Sequence, residues 1–372
     1  MVSAEVIIIG AGIAGASLAA ELAPHARVAL IEAESQPGYH TTGRSAAFWA
    51  ETYGGEAIQP LTSASGEWLR RPPDGFAAGG YLSDRGALMI ADAAGRGALD
   101  ALLAEFDGSG VRLESLDRAA IELILPNVRP GYDHGLAEPS CQDIDVAALH
   151  ADYLRAARRG SVQVFLDQRI EAISRVHGGW QLESAGEDFR AEIVINAAGA
   201  WADDVAVMAG ARPLGITPYR RTVSQLLVEP AVVATMPLVI DAGGLFYFKP
   251  ATGGRLWLSP HDETPSLPCD AAPEEIDIAT AIYRMEQAVD WTVRRVEHSW
   301  AGLRSFAPDR APVYGWDAVA PGFFWFAGQG GFGIQTAPAA AMIGAALLIG
   351  RAPASPVAAI DLERYAPSRF FS

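Results

Sequence analysis

The segment VIIIGAGIAGASLAAELAPHARVALIEAE, residues 6–34, restricts the fold more than any other part of the chain. Its apolar opening, Val6 to Ile9, suits a parallel strand covered on both faces. Gly10, Gly12 and Gly15 follow in GxGxxG spacing, residues 13–23 have helix-forming composition, and Pro24 stops the helix. RVALIE then supplies a second strand that ends at Glu32. Gly10 allows a tight turn, Gly12 lets the backbone approach a pyrophosphate, and Gly15 lets the helix lie close to the sheet. The helix N-terminus brings free N–H groups and a positive dipole end to the phosphates. Glu32, about twenty residues past Gly12, is placed to accept hydrogen bonds from a ribose and to repel a 2′-phosphate. The unit therefore predicts a dinucleotide site that disfavours NADP, and leaves NAD and FAD both open.

TTGRSAAFWAETYGG, residues 41–55, changes character halfway. Thr41, Thr42, Gly43, Arg44 and Ser45 suit a pyrophosphate: hydroxyls, backbone amides and one guanidinium. Ala46 and Ala47 are small enough for a flat ring to lie against the backbone, and Phe48, Trp49 and Tyr53 are expected to wall a pocket beside it. FFWFAGQGGFGIQTAP, residues 323–338, is a strand, a glycine turn and a helix with Pro338 in its first turn. Its bare amides at Gly330, Gly331 and Gly333 suit a region of developing negative charge. RAEIVINAAGAWADDVA, residues 190–206, makes a third such unit, with a strand over 192–197 that turns at Gly199 into a helix.

Bulk properties exclude several classes. The 372 residues carry a formal net charge of −16 and no run of Lys or Arg, so nucleic acid is an unsuitable partner. Cys141 and Cys269 lie far apart and form no metal-ligand cluster or disulfide framework, so no metal is expected. Residues 6–20 and 337–350 are apolar but shorter than the roughly 20 residues a spanning helix needs. No basic segment precedes residue 6. The expectation is a cytoplasmic protein, with peripheral association at the inner face of a membrane left open.

The pieces VIIIGAGIAGAS, PGYHTTGRSAA, TYG (52–54), DIDVAALH, NAAGAW, RPLGITPYRR, FYFKP, HSWAGLRSF and GQGGFGIQT are spread over nearly the whole chain. In them the sequence resembles the FAD-dependent D-amino-acid oxidase and glycine oxidase superfamily, and within it the bacterial D-arginine dehydrogenases. The resemblance implies an α/β fold with a discontinuous, Rossmann-like FAD domain (1–82, 141–213, 302–372). An interleaved substrate domain with a mixed sheet (83–140, 214–301) completes it. It implies non-covalent FAD held by Gly10, Gly12, Ile13, Ala14, Gly15, Glu32, Ala33, residues 41–47, Ile170, Ala198, Gly199, Trp201, and Gly330 through Gln335, Phe332 and Ile334 included. His40 stands nearby, without any of the superfamily's covalent-attachment patterns.

The chemistry implied is oxidation at the α carbon of a D-amino acid: a hydride passes to flavin N5 and the imine is hydrolysed to an oxo acid. An α-carboxylate is best held by a bidentate guanidinium. Arg304, in an apolar stretch with Trp300, Leu303 and Phe306, is either such a clamp or the partner of a structural acid such as Asp309; the resemblance favours the clamp. Arg220 and Arg221 point to opposite strand faces, so only one can serve a ligand, and the resemblance favours Arg220. Tyr247 and Lys249 share a face opposite Phe246 and Phe248. The resemblance assigns Tyr247 and Tyr53 to the substrate and gives the Gly331 carbonyl an amine proton to accept. Where the arginine-using relatives carry a histidine and a glutamate, this chain has Phe48 and Ala87. Glu51, in the same loop, is the one residue that could restore cation binding. A neutral or hydrophobic side chain is the resulting expectation, and the electron acceptor is left open, with a quinone or redox protein among the candidates; an oxygen-using oxidase shares every motif, and a subunit of a larger amine-oxidising complex is a further alternative.

Overall fold

The computed structural model describes residues 1–371. Six strands form the first sheet, in the order Gln163–Phe165, Val28–Ile31, Val6–Ile9, Ile193–Asn196, Phe323–Ala327 and Val313–Trp316. The first five run parallel and the last antiparallel. Val6–Ile9, Val28–Ile31 and Phe323–Ala327 are buried along their whole length. Alternation sends Val6, Ile8, Val28 and Leu30 to one face, under helices Ile13–Leu22, Val146–Arg159 and Ala337–Leu348. Ile7, Ile9, Ala29 and Ile31 face the other side, where Trp180, Leu182 and Phe189 and the helix Ala202–Met208 cover them. Asp145 caps Val146–Arg159 through a 2.9 Å bond from Ala148 N, as its position before an apolar periodic run predicts.

A four-stranded sheet, Val2–Ser3, Phe189–Ala191, Gly179–Ser184 and Ile170–Val176, supplies that second cover. The short apolar stretch 162–165 reads as a further strand of this small sheet, and Gln163–Phe165 instead extends the edge of the parallel one.

The large sheet has ten strands. Its path runs Gln329–Gly330, Thr292–Phe306, Thr217–Glu229, Arg255–Ser259, Tyr247–Ala251, Leu238–Asp241, Ala87–Ala91, His134–Glu138 and Glu114–Asp117, with Thr264–Pro265 paired to Thr217–Glu229 off that path. Residues 216–259, β-branched, aromatic and punctuated by Gly-Gly at 243–244 and 253–254, read as an antiparallel meander, and the last three of their four strands form one, while Thr217–Glu229 pairs with the last strand rather than the next. Thr217–Glu229 has both edges taken, by Thr292–Phe306 and Arg255–Ser259, so Leu238–Asp241 pairs antiparallel with Tyr247–Ala251 and parallel with Ala87–Ala91. Phe246 and Phe248 turn into the sheet's own core, and Tyr247 turns to the opposite face. The two sheets meet where Gln329–Gly330, leaving the parallel sheet, pairs with Ser305 and Phe306. Phe48–Trp49 joins a small sheet with Gln142–Ile144 and Leu82–Asp84 at the same junction. Among the described residues no helix is long and apolar enough to cross a membrane.

Candidate active site

A solvent-open cleft of about 1690 Å³ runs past the C-terminal ends of the parallel strands, where open α/β sheets bind ligands. Gly10, Gly12, Ile13 and Ala14 line it at one end, with Glu32, Ala33, Ile170, Ala198, Gly199 and Trp201. Gly10 adopts φ +101°, and a Cβ there would stand 2.4 Å from the Ala197 carbonyl oxygen. A Cβ on Gly15 would stand 1.9 Å from the Gly10 carbonyl, so the helix can lie this close only without a side chain. Gly15 and Gly43 shape this end without lining it. Glu32 accepts from Ala11 N at 2.9 Å and Glu34 N at 3.1 Å, which fixes its carboxylate at the strand end. Gly12 offers no capping side chain, and Thr42 Oγ1 accepts from Ile13 N at 3.0 Å from across the cleft. Trp201 packs against His40, with ring centroids 4.7 Å apart, and His40 bonds to Glu34 at 3.0 Å.

Thr41, Thr42, Arg44, Ser45 and Ala46 line the middle of the cleft. Thr41 Oγ1 donates to the Leu303 carbonyl at 2.6 Å. The Arg44 guanidinium is not free for a phosphate: it bonds to Asp270 and to the carbonyls of Ala271 and Ala301. Arg44 thus straps the 270–271 segment over the cleft. Gly330, Gly331, Gly333 and Ile334 line the far end. Phe332 turns away from the cleft, onto Tyr53 and Phe306. Gln335 borders only the inner chamber.

That inner chamber, of about 280 Å³, is bounded by Ser45, Ala46, Ala47, Phe48, Tyr53, Tyr247, Arg304, Gly331, Ile334 and Gln335. Phe48 and Tyr53 wall it, with ring centroids 4.9 Å apart. Trp49 does not. As the next residue of the same strand it faces the opposite way, where its Nε1 donates to the Thr62 carbonyl at 2.9 Å and Arg70 lies over its ring at 4.4 Å. Ala87 sits in the apolar cluster of Phe48, Tyr247 and Cys141 without bordering the chamber. Glu51 is turned away, accepting from Ser63.

The expected choice between the paired arginines is reversed. Arg220 is spent on Glu274 and Asp277 and lines neither cavity. Arg221 lines the cleft beside Arg304 and Tyr247. The register explains this. Tyr219 pairs with Arg304 and Arg221 with Gly302, which puts Arg221 and Arg304 on one face, while Arg220 opposite Leu303 takes the other. Arg304 Nη1 donates to Tyr53 Oη at 2.7 Å and has no carboxylate within ion-pair distance among the described residues. Arg221 bonds through Nε to the Asp262 carbonyl at 2.7 Å and through Nη2 to Glu263 at 3.2 Å, leaving Nη1 buried without a partner. Burial, and then the charge of Arg304, pull Arg221 below its ordinary pKa. His261, edge-on to Tyr247 at 5.7 Å, is pushed down to about 3 by burial and then by Arg221 and Arg304, so its imidazole is neutral. Sequence inspection missed His261 and Arg221's role in lining the cleft; adjacent arginines carry no local mark of which faces inward.

The family model described as "FAD dependent oxidoreductase" (DAO) matches residues 5–347. The chain belongs to this family. FAD is accordingly its cofactor, and the side-chain-free Gly10–Gly12 turn, the anchored Glu32 and the glycine corner at 330–333 are a cradle such a dinucleotide fits. The chain is similar to glycine oxidase of Pseudomonas aeruginosa, 28% identical over 239 residues, covering 60% of this chain and 60% of that protein. It is also similar to hydrogen cyanide synthase subunit HcnC of Pseudomonas protegens, 25% identical over 213 residues, covering 54% of this chain and 47% of that protein. The matched part spans between 47% and 60% of the length of these curated relatives. The fold is that of the glycine oxidase from Geobacillus kaustophilus, with a TM-score of 0.84 at 22% identity over 99% of both chains. The L-proline dehydrogenase from P. horikoshii shares it, with a TM-score of 0.83 at 20% identity over 100% of this chain and 98% of that one.

Proposed function

We propose that this DAO-family protein oxidatively deaminates D-amino acids with neutral or hydrophobic side chains. One observation carries the proposal: Arg304 and Arg221 share one cavity beside Tyr53 and Tyr247, and Arg304 has no carboxylate partner there. A buried guanidinium without a carboxylate demands an anion, and a planar carboxylate satisfies Arg304 best, with Arg221 on the same face. When bound, FAD supplies the acceptor for the α hydrogen and its electron pair, leaving an imine that water hydrolyses to a 2-oxo acid and ammonia.

The chain's own residues orient the substrate. Arg304 grips the α-carboxylate as a fork, Arg221 adds its unpartnered Nη1, and the hydroxyls of Tyr53 and Tyr247 complete the anion site. The Gly331 carbonyl accepts a hydrogen bond from the substrate amine and orients its nitrogen. Ala46, Ala47 and Phe48 receive an apolar side chain. A cationic one finds no counter-ion, because Glu51 is bonded to Ser63 and Glu138 is enclosed by backbone and Thr52. D-stereochemistry, and dye- or quinone-linked rather than oxygen-linked turnover, follow the likeness to D-arginine dehydrogenases. FAD is held non-covalently, within a cofactor domain of 1–82, 141–213 and 302–372 and beside a substrate domain of 83–140 and 214–301.

Anaerobic bleaching of the flavin by a panel of amino acids tests the proposal. D-leucine, D-methionine and D-phenylalanine are expected to bleach it faster than D-arginine, D-lysine or any L-enantiomer. The reverse order would refute the apolar chamber, and no bleaching by any amino acid would refute deamination. Peroxide release compared with dye reduction identifies the acceptor.

A further inference from the structure

The loop that carries Tyr53 is held from two sides by buried side chains. From the turn before helix Ala337–Leu348, Gln335 donates to the Tyr53 carbonyl at 3.0 Å and accepts from Ala50 N at 3.2 Å. From the ten-stranded sheet comes Glu138, with no exposed surface. Its Oε1 accepts from Glu51 N at 2.7 Å and its Oε2 from Thr52 Oγ1 at 2.5 Å. No cation lies within ion-pair distance of it among the described residues, so these donors are what compensates the buried charge.

All of these donors come from two consecutive residues, and the next residue is Tyr53. We propose that Glu138 is the positioning residue for Tyr53: it clamps residues 51 and 52 so that the phenol meets Arg304 at the substrate chamber. A carboxylate suits this task because it is acceptor on both oxygens and donor on neither. Glutamine in its place presents an NH2 group to one of these two donors and weakens that bond. The kinetic consequence of the clamp rests on the deamination reading above; its structural consequence does not.

The test uses purified holoenzyme carrying E138Q, E138D or T52V. Flavin content, amide hydrogen exchange along the chain, and steady-state kinetics with the D-amino acid that bleaches the wild type fastest are compared. In E138Q and T52V, exchange at residues 50–54 is expected to rise about tenfold or more while residues 10–15 stay protected. KM is expected to rise about fivefold or more with kcat changed less, because carboxylate binding is weakened in ground and transition state alike. E138D, which keeps both acceptor oxygens, is expected to recover part of the loss. Wild-type KM and exchange in E138Q would overturn the proposal. Loss of flavin and of protection throughout the chain in both E138Q and T52V would also overturn it, by showing a general structural role. Should no amino acid bleach the wild type, the deamination reading fails, and the exchange at 50–54 still decides whether Glu138 is the clamp.

Discussion

Arg304 Nη1 donates to Tyr53 Oη at 2.7 Å, joining residues 251 positions apart in the chain. The bond ties a strand of the ten-stranded sheet to the loop that follows strand Phe48–Trp49 of the small three-stranded one. Gly331 closes the same corner: a Cβ there would stand 2.6 Å from Tyr53 Oη and 3.1 Å from Arg304 Nη1. Three segments distant in sequence therefore converge on one point, and only a glycine lets the third approach.

Substitutions at the three arginines separate clamp from scaffold. R304A is expected to lower kcat/KM about 100-fold or more, the consequence of losing a buried charge-assisted pair worth about 3 kcal/mol, and R304K to recover little of it. R221A is expected to raise KM by about tenfold or more. R220A breaks partly buried ion pairs on the opposite face; it is expected to leave KM within about twofold of wild type and to cost about 1–3 kcal/mol of stability. Steady-state kinetics on the three variants check this, and R220A behaving as R221A would show that the wrong arginine has been assigned to the substrate.

The two neighbouring aromatics are expected to behave differently. Y53F removes the hydroxyl that meets Arg304, so kcat/KM should fall about fivefold to tenfold with little change in stability. W49F removes the bond to the Thr62 carbonyl on the far side of the strand, and should cost about 1–2 kcal/mol of stability with KM unchanged. Urea unfolding and kinetics on both variants distinguish the effects.

G10A is expected to yield a protein with little or no flavin. A side chain at φ +101°, with its Cβ 2.4 Å from the Ala197 carbonyl, costs about 1–3 kcal/mol in strain and displaces the turn from the cradle. Flavin absorbance per protein and the melting temperature report both effects.

His261 carries a pH signature. Its folded pKa is about 3 against an ordinary 6.5, so between these values the unfolded chain binds a proton that the folded chain refuses. Its contribution to stability is complete above pH 6.5 and is lost as pH falls toward 3, at up to about 1.4 kcal/mol per pH unit. H261N should flatten the stability profile across that window. Asparagine also tolerates the φ of +56° at this position. Urea midpoints at several pH values below 7 check the slope, and a wild-type slope in H261N would remove His261 as its origin.

Features encoded within a short stretch of chain were readable before any coordinates. The Gly10–Gly12–Gly15 turn with its flanking strands, the cap at Asp145 and the glycine corner at 330–333 each depend on neighbours a few residues away. Backbone geometry imposes local rules there, and the rules have residue types attached.

Facing and partnership were not readable. Arg221 rather than Arg220 enters the cleft because strand Thr292–Phe306 docks with Tyr219 opposite Arg304. A slip of one residue would exchange the two arginines. Phe48 and Trp49 divide in the same way, and Glu138 and Gln335 meet the Tyr53 loop only after both sheets are assembled. The amino-acid order held the cofactor cradle as a local geometric necessity. The substrate chamber arose from packing, since strand register is settled by long-range pairing that no short segment contains.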